Sequence, residues 1–155
     1  MPAAAWDEAR AQNVIDAHKS MEGAALPVLH ALQAAFGLIT DRAIEMVADT
    51  LNLSRAEVHG VVSFYHDFRR APAGAYVLKL CRAEACQAMG ADKLAVKMRE
   101  TLGVDWHETT ADGRVTLEPV FCLGLCSCAP SAMFDGKLIG RADATALTAL
   151  ARAKA

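Results

Sequence analysis

Long apolar runs are missing from this chain, and so is a surplus of charge of either sign. No stretch approaches the roughly 18 apolar residues of a membrane span, so no transmembrane segment is expected. Against 18 Asp and Glu stand 16 Lys and Arg, a formal net charge of -2, which argues against a nucleic-acid partner, since such a protein needs a basic stripe to displace counterions. Residues 1–70 hold 6 basic and 9 acidic groups and residues 71–155 hold 10 and 9; neither half is a charged tail or a polybasic patch. The opening MPAAAWDEAR has no basic segment leading into an apolar run, so no secretory signal is expected and the chain reads as cytoplasmic. Catalytic apparatus is not visible either. No phosphate-cradling glycine loop follows a strand, and no nucleophile has an evident base.

What is present is enough apolar material for a core, 54% of 155 residues, and five cysteines. A reducing compartment favours thiols that bind metal over thiols that pair, and a disulfide framework would leave one over. Four of the cysteines form two tight pairs. Cys81 and Cys86 have four residues between them, Cys122 and Cys126 have three, and 35 residues separate the pairs. Structural zinc usually takes closer pairs, which puts the first at the loose end of that pattern. Its four-residue gap is shared with plant-type [2Fe-2S] ferredoxins, in which four cysteine sulfurs hold two irons. An electron carrier is therefore the leading expectation, with a structural zinc module and a thiol oxidoreductase or redox sensor as alternatives.

Periodicity divides the chain into two domains, 1–72 and 73–155, at Ala71-Pro72-Ala73-Gly74. In the first, apolar residues recur at three and four. Asp7 opens a helix to about Ser20, and Pro27 sits in the first turn of a second that buries Leu29, Leu32 and Phe36 and stops at Gly37. Thr40 caps a third, striped by Ile44, Val47, Ala48 and Leu51. Ser54 and Glu57 match a capping box for a fourth, with Val58, Val61, Val62 and Tyr65 on its apolar side and an end near Arg70. A small helical bundle is expected.

The second domain reads as strand, helix, strand, hairpin, helix. Tyr76 to Leu80 is a short apolar run ending at Cys81, residues 85–102 return to helical spacing, and Arg114 to Phe121 is a second strand ending at Cys122. Asp135-Gly136 marks a two-residue hairpin turn, reached through a turn at Pro130, and Asp143 opens the last helix. This pattern predicts an α+β or α/β unit, a small sheet with helices packed on it. Each cysteine pair begins where a strand ends. If the two strands are neighbours, both loops leave the same sheet edge and four sulfurs can meet there, with Gly124 letting the second loop curl and turn backbone N–H groups toward sulfur.

Several other residues are weighed against plainer roles. Cys128, two beyond Cys126, could exchange with it as a ligand, but a small buried thiol is the simpler reading. No histidine accompanies a cysteine as a Rieske centre requires. His59 and His66, seven apart on one helix face, read as surface or subunit-contact residues; Arg69 and Arg70 read as solvated helix-end charges; Met89 and Met98 read as packing.

The phrases VHGVVSFYHDF, VLKLCRAEAC and TADGRVTLEPVFCLGLC, with the AP that follows, resemble the thioredoxin-like [2Fe-2S] ferredoxin family. That family includes the 24 kDa subunit of respiratory NADH dehydrogenase and small subunits of NAD-linked hydrogenases and formate dehydrogenases. The resemblance implies an N-terminal helical bundle ahead of a thioredoxin-like domain, and one [2Fe-2S] cluster held by Cys81, Cys86, Cys122 and Cys126. Neither pair is Cys-x-x-Cys, so dithiol exchange is not expected. For all-cysteine sites of this type a potential of about -400 mV is the default. The wording at Tyr65-His66-Asp67-Phe68-Arg69 and Cys81-Arg82-Ala83-Glu84-Ala85-Cys86 is most similar to the gamma subunit of soluble, NAD-dependent, molybdenum-containing formate dehydrogenase. That likeness implies a flavin- and NAD-binding beta-type partner carrying FMN, and an alpha-type partner carrying the molybdenum cofactor. The respiratory and hydrogenase subunits remain the alternative.

Overall fold

A computed structural model describes residues 5–153; the outermost residues of the two expected domains, with part of the opening MPAAAWDEAR, lie outside them. Its contacts divide the chain into two compact units, Met1–Pro72 and Ala73–Ala155.

The first unit consists of α1 (Glu8–His18), α2 (Ala25–Phe36), α3 (Asp41–Leu51) and α4 (Arg55–Phe64). Their starts follow the capping chemistry. Asp7 accepts from the Arg10 N–H at 2.8 Å, Thr40 from that of Ala43 at 3.0 Å, and Ser54 and Glu57 close a reciprocal capping box. Leu29, Leu32, Phe36, Ile44, Val47 and Val58 fill one core with Ile15. Two expectations fail at the end of α4. It stops at Phe64, six residues before Arg70, and Tyr65 is 43% exposed. The segment beyond folds back because its own contacts outweigh further helix: Phe68 is buried against the His30 ring at 4.8 Å, while the Gln33 side chain donates to the Asp67 carbonyl at 2.6 Å and accepts from the Arg69 N–H at 2.6 Å. His66 therefore leaves the helix face of His59, and both are exposed. Arg70 is ion-paired with Asp41.

In the second unit, β1 (Tyr76–Cys81), β2 (Val115–Val120), β3 (Ala132–Phe134) and β4 (Lys137–Ile139) form one sheet in the order β2-β1-β3-β4. β1 and β2 run parallel, with Cys81 opposite Val120. β3 is antiparallel to both β1 and β4. β2 lies at the sheet edge, where Pro119 is tolerated although it lacks an N–H. The β3–β4 turn has positive φ at Asp135 and Gly136, as a type I′ turn requires. Leu78, Leu80, Val115 and Leu117 pack with Leu94 and Met98 from α6 (Ala91–Leu102) and Leu147 from α7 (Ala144–Ala153). Asp143 caps α7 by accepting from the Ala146 N–H at 2.9 Å.

The helix expected over 85–102 is two. A short α5 (Glu84–Ala88) precedes α6, and the break falls at Gly90, whose φ of +94° is outside the helical region. Met89 at this break is 63% exposed, so only Met98, at 0%, has the expected packing role. Among the described residues, no helix is long and apolar enough to cross a membrane.

Candidate metal centre

Parallel pairing sends the chain out of β1 and β2 at the same edge, and the ladder continues one residue further, the Arg82 N–H donating to the Val120 carbonyl at 2.7 Å. Cys81 is the last residue of β1, Cys86 lies on α5, and Cys122 follows β2 by two residues. Cys126 opens a single 3₁₀ turn, Cys126–Cys128. The first pair is buried and the second exposed. The arrangement thus has an inner wall of two enclosed sulfurs and an outer wall of two that face solvent.

Hydrogen bonds and charge coupling tie the four together. Burial alone would push the Cys81 thiol up, yet donors at the Ala83 N–H, the Cys86 thiol, the Cys122 N–H and the Ser131 hydroxyl bring it below the ordinary thiol value. Cys126 is held above that value, first by its hydrogen bond to Cys122, then by repulsion from Cys122, by burial, and by repulsion from Cys86 and Cys81. A bound cation draws protons off its sulfur ligands. The donor set suits a cluster of two irons. Its four members are all cysteines, and two irons divide four thiolates between them.

The backbone of the second loop is bent to the same end. Cys122 has φ +106°, a region costing a non-glycine residue about 1–3 kcal/mol, of the kind that persists at functional sites. Gly124, at φ +75°, turns its N–H onto Cys122 Sγ at 3.4 Å. Ser131 is the contributor that sequence reasoning missed. It is 1% exposed, its hydroxyl lies 3.4 Å from Cys86 Sγ, and its carbonyl accepts from the Cys81 N–H at 3.0 Å. A lone serine after Pro130 carries no motif; only the pairing of β3 with β1 reveals it.

Cys128 is occupied elsewhere. A β-carbon on Gly140 would fall 2.7 Å from Cys128 Cβ and 3.8 Å from its sulfur, and the Arg141 N–H donates to the Cys128 carbonyl at 2.6 Å. The bond Ala129–Pro130 that follows is cis. Gly140→Ala should therefore lower stability by about 1–3 kcal/mol through overpacking, and Cys128→Gly should recover part of it in the double variant, as read by urea denaturation. Equal stability of Gly140→Ala and the parent would contradict the close approach.

The description "thioredoxin-like [2Fe-2S] ferredoxin" matches residues 11–154. The chain belongs to the thioredoxin-like [2Fe-2S] ferredoxin family. Among its relatives, an NADH-quinone oxidoreductase subunit of Mycobacterium tuberculosis (strain ATCC 25618 / H37Rv) is 38% identical over 128 residues, 83% of this chain and 51% of that protein. NADP-reducing hydrogenase subunit HndA of Solidesulfovibrio fructosivorans is 36% identical over 126 residues, 81% of this chain and 74% of that one. The chain spans about half the length of the mycobacterial relatives. A solved chain of the NAD+-reducing [NiFe]-hydrogenase in the H2-reduced state superposes with a TM-score of 0.65 at 26% identity, covering 79% of this chain and 21% of that one. The family's cofactor is a [2Fe-2S] cluster.

Proposed function

We propose that Cys81, Cys86, Cys122 and Cys126 hold one [2Fe-2S] cluster and that the chain serves as the electron-transfer subunit of an NAD-linked oxidoreductase. The observation that carries this reading is that the parallel strands β1 and β2 end side by side, with Cys81 at the end of one and Cys122 two residues beyond the other. When bound, the cluster accepts and returns one electron. The protein's part is to supply the thiolates, to enclose the Cys81 and Cys86 side, and to leave the Cys122 and Cys126 side open to a redox partner. The domain division at Pro72 separates this cluster-bearing unit from a helical unit that supplies none of the four cysteines.

Within that class, we assign the chain to a cytoplasmic NAD-dependent formate dehydrogenase as its gamma subunit, beside a flavin- and NAD-binding subunit and a molybdenum subunit. Support comes from the wording of residues 65–69 and 81–86. A second reading places the same module in an NADH-quinone oxidoreductase or a hydrogenase, and the names of the relatives favour it. Affinity purification of the tagged chain from its native host decides between them. Formate dehydrogenase predicts co-purifying molybdenum and formate-dependent reduction of NAD; nickel, or quinone reductase activity without molybdenum, would overturn that assignment in favour of the second.

A further inference from the structure

We propose that Ser131 raises the reduction potential of the [2Fe-2S] centre by donating its hydroxyl proton to the sulfur of Cys86. The inference rests on the four-cysteine reading above. In the bare protein either partner of the 3.4 Å contact could be the donor. A cysteine bound to metal has lost its proton, so only the serine hydroxyl can then fill the contact. Ser131 is fixed for this task. Its carbonyl is engaged by the Cys81 N–H at 3.0 Å, it adjoins Ala132, which pairs with Leu80 across β3 and β1, and it is 1% exposed, so water does not compete for its hydroxyl.

The direction of the effect follows from charge. One-electron reduction makes the centre and its thiolates more negative, and a hydrogen bond to a charged acceptor is stronger than one to a less charged acceptor. The donor therefore stabilises the reduced form more than the oxidised form, and the low dielectric of a buried site enlarges the difference. Hydrogen bonds to sulfur are among the factors that set such potentials. The other donors, at Ala83, Cys122 and Gly124, are backbone N–H groups; Ser131 is the side chain among them, and substitution can remove it.

The test is an EPR-monitored redox titration of the full chain with dithionite as electron source, on the parent, Ser131→Ala and Ser131→Thr. A midpoint shifted to more negative potential in Ser131→Ala, and held near the parent value in Ser131→Thr, supports the proposal. An unchanged midpoint in Ser131→Ala overturns it, as does a shift in Ser131→Thr as large as that in Ser131→Ala. Should Ser131→Ala take up no cluster, Ser131→Gly gives the same comparison; failure of both alongside a loaded Ser131→Thr would assign Ser131 to cluster assembly and overturn a tuning role. Failure of the underlying cluster reading looks different, because the parent itself would then lack iron, sulfide and the reduced-state signal.

Discussion

Alanine at any one of Cys81, Cys86, Cys122 and Cys126 is expected to abolish the visible absorption and the rhombic, spin-half EPR signal of the dithionite-reduced protein, whereas Cys128→Ala keeps both. The parent should contain about two irons and two acid-labile sulfides per chain. Alanine is the informative replacement because a serine oxygen can take the place of a thiolate. The distinction between Cys126 and Cys128 comes from the packing. Cys126 feels the charges of Cys122, Cys86 and Cys81, while the Cys128 side chain sits against Gly140. Loss of the cluster in Cys128→Ala with retention in Cys126→Ala would reverse the assignment within the second loop. A colourless parent containing zinc would remove the cluster altogether, and dithiol activity lost in Cys86→Ala without any bleaching would support a thiol oxidoreductase.

Local chemistry explains which parts of the fold were legible beforehand. Helix starts are written in single side chains, as at Asp7, Thr40 and Ser54, and the hairpin turn in Asp135-Gly136, so each could be placed from a few neighbouring residues. Strand ends were legible because β1 is a short, largely apolar run that stops at Cys81, and β2 alternates until Val120, two residues before Cys122. The end of α4 was not, because it depends on Gln33, more than thirty residues away, clamping the backbone at Asp67 and Arg69. The gap between α5 and α6 was hidden for another reason. Apolar spacing continues across Gly90 even though the backbone there turns left-handed. At the metal centre, spacing brought two pairs of thiols to attention and left the surroundings blank. Ser131 and Gly140 become meaningful only through the antiparallel pairing that lays β3 beside β1 and β4 beside β3. Thus the donors to a cluster were readable in one dimension, and the groups that tune or crowd them were not.

The sheet beneath the cysteines ties stability to loading, which makes Leu117→Ala the most damaging single change expected away from the sulfurs. Leu117 is 0% exposed in the middle of β2, opposite Leu78 and inside the core shared with Met98 and Leu147. Truncation there removes buried methyl groups and leaves a cavity that α6 and α7 fill only in part, a loss of about 2–5 kcal/mol. Domains have about 5–15 kcal/mol in total, so a large fraction of the second unit's stability disappears. Cys122 follows the end of the same strand and Cys81 ends its partner; loosening the β1–β2 pair frees both loops at once. Urea denaturation followed at the cluster absorption should therefore show a lower midpoint with an unchanged slope, and the cluster should bleach faster on incubation without denaturant. Leu138→Ala is the matched control: Leu138 is 51% exposed on β4, and its removal should stay within about 0.5 kcal/mol of the parent. A loss below about 1 kcal/mol for Leu117→Ala would mean that the β1–β2 core does not govern cluster retention. A normal lifetime of the cluster in a clearly destabilised variant would mean that the four sulfurs hold their geometry independently of the sheet edge.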